Sequence, residues 1–382
     1  MISERDLVVM IAGTPYHGVR RGGRGLADAL SRSCDVLYVD PPVSPLTGLK
    51  NQQARGAFTG PRLTDETASI QRLVPTAPPG MTRPAIHRLT RSMLVGSIRR
   101  ALSEIGRKPW AAVQSSPQFP VLGRLGEHIS VYRASDDFTA GAHHLGSRQT
   151  RIAAKEQQLV AAADVVVVVS PTLAMKWKSS GKPVVVLPNG VNVEAFADSN
   201  SIADPTVDMP LDKPVAGVVG TMSERLDLGL LEAVAQSSAA SLLLVGPETF
   251  RVDQRRFEEL TSGPNVHWVG QQPFEDLPAW YRHIDVGLVP YTLSPFNLAS
   301  DPLKLPEYLA AGKPVVATPL PTVTALESPD ISVASEPEDF VAAISQAVPL
   351  SGDPDLTNRR RAFAARYSWD AKAAELLEAL RQ

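Results

Sequence analysis

The chain has 382 residues, of which 43% are hydrophobic and 20% are charged, and its formal net charge at pH 7 is -2. This is the composition of a globular protein, and the near-neutral charge argues against a nucleic-acid binder. A single hydrophobic core is unfavourable at this length, so two domains are expected. No segment of the sequence approaches the roughly 18 uninterrupted apolar residues of a membrane-spanning helix.

The amino-terminal sequence MISERDLVVMIAG places charged residues directly before a short apolar run. This run lacks the length of a signal-peptide core and a small-residue cleavage site, which predicts a cytoplasmic protein. The single Cys34 cannot form an internal disulfide, and no group of cysteines and histidines has the spacing of zinc ligands. A structural metal is therefore not expected.

Short β-branched runs alternate with longer amphipathic segments, and the runs are continuously apolar, as in parallel strands covered on both faces. The predicted strands are residues 7–12, 36–39, 111–114, 130–133, 165–170, 184–187, 214–220, 241–245, 266–269, 286–289, 314–318 and 331–333. The predicted helices include residues 227–236, 303–311 and 362–382. The polar segment 197–213 has the composition of a linker. This order predicts an α/β fold with two doubly wound, Rossmann-like domains facing a cleft.

The segment TPYHGVRRGGRGLADAL follows the first predicted strand and opens a helix. Glycines such as Gly23 let the backbone approach a ligand, while Arg20, Arg21 and Arg24 favour an anion at the helix start. Asp40 ends the next strand, where a nicotinamide-binding fold places its ribose-binding acid. Because the glycine spacing is not G-x-G-x-x-G, a phosphate or sugar contact and a plain turn stay open beside a dinucleotide site.

Residues 82–108 contain six arginines and one lysine but only one acidic residue. A basic amphipathic helix of this kind could lie on an anionic membrane surface. The alternative is an ordinary surface helix whose apolar stripe packs on the core. The predicted stripe consists of Ile86, Leu89, Met93, Leu94, Ile98 and Leu102.

Two carboxylates, Asp136 and Asp137, follow a predicted strand in the sequence VYRASDDF. A carboxylate at this position could take a proton from an acceptor hydroxyl, a role typically worth ~10²–10⁴-fold in rate. The alternative is that Ser135 or one of the aspartates caps the next helix. Two adjacent aspartates leave room for both roles.

Two segments of the second half have the features of phosphate sites. In GVVGTMSERLDLGLL a strand ends at Gly220, and Met222 and Arg225 follow before a helix. In SDPLKLPEYLAAGKPVV, Lys304 and Glu307 are three residues apart and share a helical face. They could form a surface ion pair, or the lysine could bind a diphosphate while the glutamate accepts hydrogen bonds from ribose hydroxyls.

Taken in this order, the segments resemble the two-domain GT-B glycosyltransferases, particularly bacterial family 4-like (group 1) enzymes that build surface polysaccharides. The resemblance rests on LPNGVNVEAF, GVVGTMSERLDLGLL, LLLVGPE, NVHWVGQQPFEDLPAWYRHIDVGLVPY, DPLKLPEYLAAGKPVVAT and YSWDAKAAELLEAL. In the first half, VYRASDD and EQQLVAAADVVVVVSPTL are similar to parts of teichuronic-acid-type and xanthan-type glucuronosyl transferases.

The resemblance implies transfer of a sugar from a nucleotide-sugar donor, a UDP- or GDP-sugar, to a hydroxyl of a glycan or lipid-linked glycan acceptor, without an obligatory metal. It implies an acceptor-binding domain at residues 1–196 and a donor-binding domain at residues 214–366. The final helix, residues 367–382, is expected to return to the first domain. The enzyme would be cytoplasmic, with peripheral contact to the inner membrane face through residues 82–108.

The motifs of the family also imply roles for single residues. Met222 would lie by the nucleotide base, Lys304 would meet the donor phosphate and Glu307 would hold the ribose. Asp136 matches the catalytic base of the xanthan-type enzymes, and Asp137 is the reserve candidate. The full set of expected donor-binding residues is Gly23, Arg24, Gly220, Met222, Arg225, Lys304 and Glu307.

One position departs from the family pattern. Retaining members commonly carry two glutamates separated by seven residues, but the residue eight positions before Glu307 is Ala299, with Asp301 close by. This departure favours direct inverting displacement, with Asp136 as base, over a retaining mechanism. The alternative functions are a nucleotide-sugar epimerase of the same fold and a non-catalytic partner subunit.

Overall fold

The computed structural model describes residues 5–17, 22–45, 61–197, 212, 214–249 and 252–382. The chain divides into two compact units, of which unit 1 comprises Met1–Pro188 with Lys372–Gln382, and unit 2 comprises Asn189–Ala371. Within the described part of the chain, no helix combines the length and the apolar character needed to cross a membrane.

The sheet of unit 1 has eight strands within the described residues. They are β1 (Leu7–Ile11), β2 (Asp35–Val39), β3 (Arg62–Thr67), β4 (Ile70–Val74), β5 (Ala111–Gln114), β6 (Ile129–Ala134), β7 (Val165–Val168) and β8 (Val184–Val186). Their order is β3-β4-β2-β1-β5-β6-β7-β8, and every neighbouring pair is parallel except β3 and β4. The central strand β1 is buried along its whole length, as its continuous apolar sequence predicts.

The α-helices described in unit 1 before Pro188 are α1 (Gly22–Leu30), α2 (Pro84–Ile105), α3 (Gln149–Ala162) and α4 (Pro171–Trp177). Local sequence sets the ends of two of them. Helix α2 stops at Gly106, whose φ of +76° is a conformation that glycine adopts readily. Ser170 caps the start of α4, because its hydroxyl accepts from the backbone amide of Leu173 at 3.2 Å.

The described sheet of unit 2 is entirely parallel and has the order β11-β10-β9-β12-β13-β14. Its strands are β9 (Val215–Val219), β10 (Ser241–Val245), β11 (Val266–Trp268), β12 (Val286–Val289), β13 (Val315–Ala317) and β14 (Ile331–Val333). The strand order reverses between β9 and β12, which makes the unit doubly wound. Ligands of such folds bind at the carboxyl ends of the strands beside this reversal.

The helices of unit 2 cover both faces of its sheet. Those described are α5 (Val193–Ala197), α6 (Leu228–Gln236), α7 (Gln254–Thr261), α8 (Leu277–Arg282), α9 (Pro295–Leu298), α10 (Lys304–Ala310), α11 (Pro321–Thr324), α12 (Pro337–Ala347) and α13 (Pro354–Ala365). The last helix, α14 (Trp369–Arg381), begins in unit 2 and continues into the residues of unit 1.

The prediction of one helix over residues 362–382 was wrong, because the segment holds the end of α13 and the separate helix α14. Ser368 lies between them, and its hydroxyl accepts from the backbone amide of Ala371 at 3.2 Å. The buried Arg360 attaches α13 to the residue before β14, because its Nε donates to Asp330 Oδ1 at 2.9 Å. The chain therefore ends one helix and starts another at a serine cap.

Candidate functional site

The two loops that follow β9 and β12 are joined by the side chain of Arg225. Its Nε donates to Asn297 Oδ1 at 2.8 Å, and Asn297 Nδ2 donates back to the Arg225 carbonyl at 3.0 Å. The guanidinium lies over the rings of Tyr291 and Phe296, at 4.7 and 5.0 Å from their centroids. Arg225 therefore shapes the switch-point edge of the sheet through contacts within unit 2.

Lys304 and Glu307 meet at the start of α10, on the same side of the sheet as these loops. Lys304 Nζ lies 2.6 Å from Glu307 Oε2, and the hydroxyl of Tyr281 donates to the same oxygen at 2.7 Å. Burial, followed by the Glu307 carboxylate, raises the pKa of Tyr281 well above its usual range, so the phenol stays protonated and donates. We call these three side chains the Lys304 cluster.

At the neighbouring ends of β9 and β10, the backbones of Gly220 and Gly246 lie very close together. Gly246 has a φ of +141°, and a Cβ atom placed on it would lie 1.8 Å from the Gly220 carbonyl oxygen. Gly220 itself has a φ of +149°. Both positions require glycine because a side chain would be strained or would collide. The ends of β9 and β10 therefore pack main chain against main chain at the edge where ligands of such sheets bind, with Gly246 buried and Gly220 partly exposed.

Met222 follows Gly220 but its side chain is fully buried in the hydrophobic core of unit 2. Its backbone amide donates to the Pro247 carbonyl at 2.8 Å, and its carbonyl accepts from the Thr249 amide at 2.9 Å. The methionine thus fixes the chain just after the strand end. Its predicted neighbour, a nucleotide base, stays a prediction.

The position where retaining enzymes carry a first glutamate is occupied by the buried Ala299. The adjacent acid, Asp301, accepts from the backbone amide of Asn189 at 2.6 Å through Oδ2. Asn189 Nδ2 in turn donates to the Asp301 carbonyl at 3.0 Å. The Asp301 carboxylate therefore fastens the Asn-Gly turn of LPNGVNVEAF to the loop before α10.

In unit 1, the two candidate catalytic carboxylates follow β6. The Ser135 hydroxyl donates to Asp136 Oδ2 at 3.2 Å. Asp137 Oδ1 accepts from the backbone amide of Ala140 at 3.0 Å and from Lys176 Nζ at 2.8 Å. Asp137 thus stabilises the turn after the strand. Asp136 as base, with Asp137 in reserve, stays a prediction.

A buried carboxylate that sequence reasoning missed lies behind this turn. Glu156, on α3, accepts from the Tyr132 hydroxyl at 2.8 Å, from the Thr139 hydroxyl and from Lys176 Nζ at 3.1 Å. Burial and then Glu156 raise the pKa of Tyr132 well above its usual range. We call Asp137, Glu156, Lys176 and Tyr132 the Lys176 cluster. Its members are far apart in sequence, so no local spacing could have indicated it.

The predicted glycine loop of unit 1 is held by internal contacts. Gly23 and Arg24 lie in the first turn of α1, and Arg24 Nη1 donates to the Tyr16 carbonyl at 3.1 Å. The arginines at positions 20 and 21 lie outside the described residues. Asp40 is buried and accepts from Arg72 Nη2 at 2.7 Å, while burial raises its pKa. Asp40 therefore works as an internal ion pair, which accounts for it without a ribose.

The structure thus brings some predicted residues together within each unit. In unit 2, the loop after β9 carries Gly220, Met222 and Arg225, and α10 carries Lys304 and Glu307. A lysine at a helix start suits a phosphate, and a carboxylate held by a tyrosine hydroxyl suits ribose hydroxyls. Tyr281, which sequence reasoning missed, could have been found only from the fold, since it lies on another helix.

Two doubly wound units of this kind, with a lysine and a carboxylate beside the switch point of the second, are the architecture of GT-B glycosyltransferases. The structure is similar over 99% of both chains to sucrose-phosphate synthase from Thermosynechococcus elongatus, with a TM-score of 0.72 and 21% identity. It is also similar to Anabaena Alr3699/HepE in complex with UDP and glucose, over 99% of this chain and 100% of that one, with a TM-score of 0.65 and 15% identity. These likenesses establish the fold.

Sequence comparison identifies the family. Residues 213–348 match the family described as glycosyl transferases group 1. The chain is 32% identical over 276 residues, or 69% of each protein, to TuaH of Bacillus subtilis (strain 168), whose name describes a teichuronic acid biosynthesis glycosyltransferase. The chain belongs to the group 1 glycosyltransferases and is a transferase enzyme. The predictions of the GT-B fold and of a glycosyltransferase are confirmed.

Proposed function

We propose that this glycosyltransferase moves a sugar from a UDP- or GDP-sugar to a hydroxyl of a glycan or lipid-linked glycan in the synthesis of a surface polysaccharide or glycolipid. The Lys304 cluster is the observation that carries the proposal, because it presents a cation and a fixed carboxylate beside the switch point of unit 2. The name of the Bacillus relative and the UDP-glucose complex of Anabaena HepE support it.

In this proposal each group of the Lys304 cluster has a separate task. Lys304 neutralises charge on the donor diphosphate, which also stabilises the nucleoside diphosphate as it leaves. Glu307, oriented by Tyr281, accepts hydrogen bonds from the ribose hydroxyls. Gly220 lets the main chain approach the diphosphate, and Arg225 keeps the loop after β9 in place.

The acceptor side of the proposal uses unit 1. Asp136 removes the proton of the acceptor hydroxyl as that oxygen attacks the anomeric carbon. The sugar–phosphate bond breaks in the same displacement, which inverts the anomeric centre. Asp137, held by Lys176, keeps the turn after β6 in shape so that Asp136 is presented correctly.

Calorimetric titration with UDP, GDP, ADP and TDP tests the donor assignment. One of UDP and GDP should bind the wild type with micromolar affinity, and Lys304→Ala should weaken it at least about tenfold, since a charge-assisted contact is lost. Lys313→Ala, which removes a lysine that follows α10 and donates to the Arg282 carbonyl at 3.4 Å, is the matched control and should bind normally. Failure of all four nucleotides to bind would refute the proposal and favour a non-catalytic partner.

Incubation with the matching sugar nucleotide separates transfer from the alternative enzyme. A transferase should require a glycan acceptor for turnover beyond slow hydrolysis. Isomerisation of the sugar nucleotide without any acceptor would instead identify an epimerase of the same fold.

We further propose that α2 contacts an anionic membrane surface. Its Leu94, Ile98 and Leu102 are buried, but Leu89 and Met93 are 54% and 38% exposed, which divides the predicted apolar stripe into two faces. The exposed pair lies one turn apart, and Arg88, Arg99 and Arg100 are exposed on the same helix. Exposed apolar side chains among arginines are typical of a helix that lies in a lipid headgroup layer.

Sedimentation with lipid vesicles tests this contact. The wild type should bind vesicles rich in phosphatidylglycerol and not pure phosphatidylcholine, and Leu89→Asp with Met93→Asp should abolish binding. Leu350→Asp, at an exposed leucine of unit 2, serves as control and should retain it. Equal loss in the control, or normal binding by the double variant, would contradict a membrane role for α2.

A further inference from the structure

Two lysines on consecutive helices of unit 1 have opposite surroundings. Lys176 Nζ is paired with the carboxylates of Asp137 and Glu156 at 2.8 and 3.1 Å. Lys155, on α3, is also partly buried, yet no carboxylate of the described residues lies within ion-pair distance of it. Its Nζ instead lies 5.9 Å from the centroid of the buried Phe119 ring. Lys155 is thus a cation without an internal counter-ion among the residues described.

The groups around Lys155 are themselves basic. Burial, with a contribution from Arg151, lowers the pKa of Lys155 to about 8. His87 stacks on the same aromatic ring, with centroids 4.9 Å apart, and its Nε2 donates to the Gln118 carbonyl at 2.6 Å. Burial lowers the pKa of His87, and Lys155, Arg91 and Arg151 lower it further. Four basic side chains from α2 and α3 are therefore within electrostatic reach of one another.

The topology places this basic group at the edge where ligands bind. His87 and Arg91 lie in the first two turns of α2, and Arg151 and Lys155 in the first two turns of α3. Phe119 lies in the loop after β5. Helices that return between parallel strands begin at the carboxyl ends of those strands, so the basic group shares an edge of the sheet with Asp136.

A partly buried charge destabilises a protein unless a counter-charge and hydrogen bonds compensate it. Here the repulsion among the three cations Lys155, Arg151 and Arg91 adds to that cost, and it falls on the edge where the acceptor is proposed to bind. A carboxylate supplies one negative charge, as Glu156 does for Lys176. A phosphate group supplies more charge and more acceptor oxygens, and arginine is well suited to bind it.

We propose that Lys155, Arg151 and Arg91 form a subsite for a phosphate group of the acceptor. The assignment to the acceptor rests on the proposed function, whereas binding of phosphate at these residues does not. Such a group could belong to a lipid-linked sugar diphosphate or to a soluble sugar phosphate, and the chemistry recognised is the same.

Calorimetric titration with inorganic pyrophosphate tests the subsite. Lys304→Ala is used as the parent so that the proposed donor site does not take up the probe. Adding Lys155→Gln should weaken pyrophosphate binding about tenfold, the loss expected for one charge-assisted contact. Lys182→Gln, which removes a lysine just before β8 at the opposite edge of the sheet, should leave binding unchanged. Equal affinities in the two variants, or no saturable binding by the parent, would overturn the proposal.

Thermal unfolding of Lys155→Met separates a ligand site from a structural role. Because the lysine has no carboxylate partner among the residues that the structure describes, its removal should leave the midpoint of unfolding unchanged or raise it, while pyrophosphate binding is lost. A lowered midpoint with unchanged binding would mean that Lys155 serves the fold alone.

Farnesyl diphosphate should bind more tightly than pyrophosphate if the acceptor is lipid-linked, and equally if it is soluble, with both affinities dependent on Lys155.

Nucleotide binding should be normal in Lys155→Gln. If pyrophosphate requires Lys155 but no nucleotide binds the wild type, the donor proposal fails and the phosphate subsite stands. If a nucleotide binds the wild type and the affinity for pyrophosphate does not depend on Lys155, only the subsite proposal is refuted.

Discussion

Each unit contains a lysine, a glutamate and a buried tyrosine joined at one carboxylate, but the two clusters are assembled differently. In unit 2, Lys304 and Glu307 share one turn of α10, and only Tyr281 comes from another helix. In unit 1, Glu156 and Lys176 lie on separate helices. The Glu156 carboxylate of unit 1 is fully buried and accepts from three donors. The Glu307 carboxylate of unit 2 accepts from two donors and lies beside the switch point of its sheet.

The difference separates a structural cluster from a proposed binding cluster. Three donors from β6, α4 and the turn after β6 satisfy Glu156, so the Lys176 cluster joins those elements internally. Glu307 has its two donors on one oxygen, Oε2, which suits a group that also accepts from a ligand. The same three residue types therefore stabilise the fold in one unit and are proposed to hold the donor in the other.

The largest expected effect concerns the two aspartates after β6, of which Asp137 belongs to the Lys176 cluster and Asp136 does not. Asp136→Asn should reduce glycosyl transfer by ~10²–10⁴-fold, the usual contribution of a general base, with nucleotide binding unchanged. Asp137→Asn keeps the turn bond to Ala140 but weakens the contact with Lys176, so its loss of activity should be smaller. Steady-state kinetics on the two variants would contradict the assignment if Asp137→Asn were the more damaging change.

The strand ends of unit 2 offer a large effect on stability. Gly246→Ala should lower the free energy of unfolding by at least about 3 kcal/mol, because the added methyl group collides with the Gly220 carbonyl and the φ is unfavourable. Gly123→Ala, at a φ of +73° with no atom within 4 Å of the new Cβ, is the matched control and should lose about 1 kcal/mol. Urea denaturation that gave equal losses would show that the close approach is absent.

The Lys176 cluster should respond to mutation as an internal structural unit. Glu156→Gln should lower the free energy of unfolding by about 1–3 kcal/mol, because Lys176 loses a buried partner, and nucleotide affinity should not change. Adding Lys176→Met should recover part of the loss, which a double-mutant cycle measures. A Glu156→Gln variant of normal stability but weakened nucleotide binding would reverse the roles assigned to the two clusters.

The smallest expected effect compares the two tyrosines. Tyr281→Phe removes the hydroxyl that orients Glu307 and should weaken nucleotide binding by about fivefold, the equivalent of one hydrogen bond of about 1 kcal/mol. Tyr132→Phe removes the corresponding hydroxyl from Glu156 and should affect stability alone. Calorimetry on both variants distinguishes them, and a loss of affinity in Tyr132→Phe alone would contradict the account.

The parts of the fold that sequence could predict are those that local chemistry determines. Continuous apolar runs marked the buried parallel strands, and the i, i+3 spacing marked Lys304 and Glu307. Strand β3 was missed because it is polar and lies at the edge of the sheet, where only β4 pairs with it. Strand β4, which lies between β3 and β2, was missed because Gln71 and Arg72 interrupt its apolar run. The prediction of one helix over residues 362–382 missed the boundary between α13 and α14, although Ser368 is a recognisable cap and the family resemblance implied a final helix from residue 367.

Like the fold, the candidate site could be predicted from the sequence only where local chemistry determines it. The helix that carries Lys304 could be placed from its sequence, but its partner Tyr281 and the whole Lys176 cluster depend on tertiary contacts. Asp40 illustrates the opposite error, since its position at a strand end matched a ribose-binding acid while the structure pairs it with Arg72. Position in a strand–helix pattern predicts where a ligand can bind, and the contacts of each side chain decide whether it is available.

The most direct measurement for the central claim is hydrogen–deuterium exchange of the full-length protein with and without the nucleotide that binds it. Peptides that cover the end of β9 with Gly220, the end of β10 with Gly246, and helix α10 should become protected. Peptides of the Lys176 cluster should exchange at the same rate in both states. Protection confined to unit 1, with helix α10 unchanged, would contradict the assignment of donor binding to the Lys304 cluster.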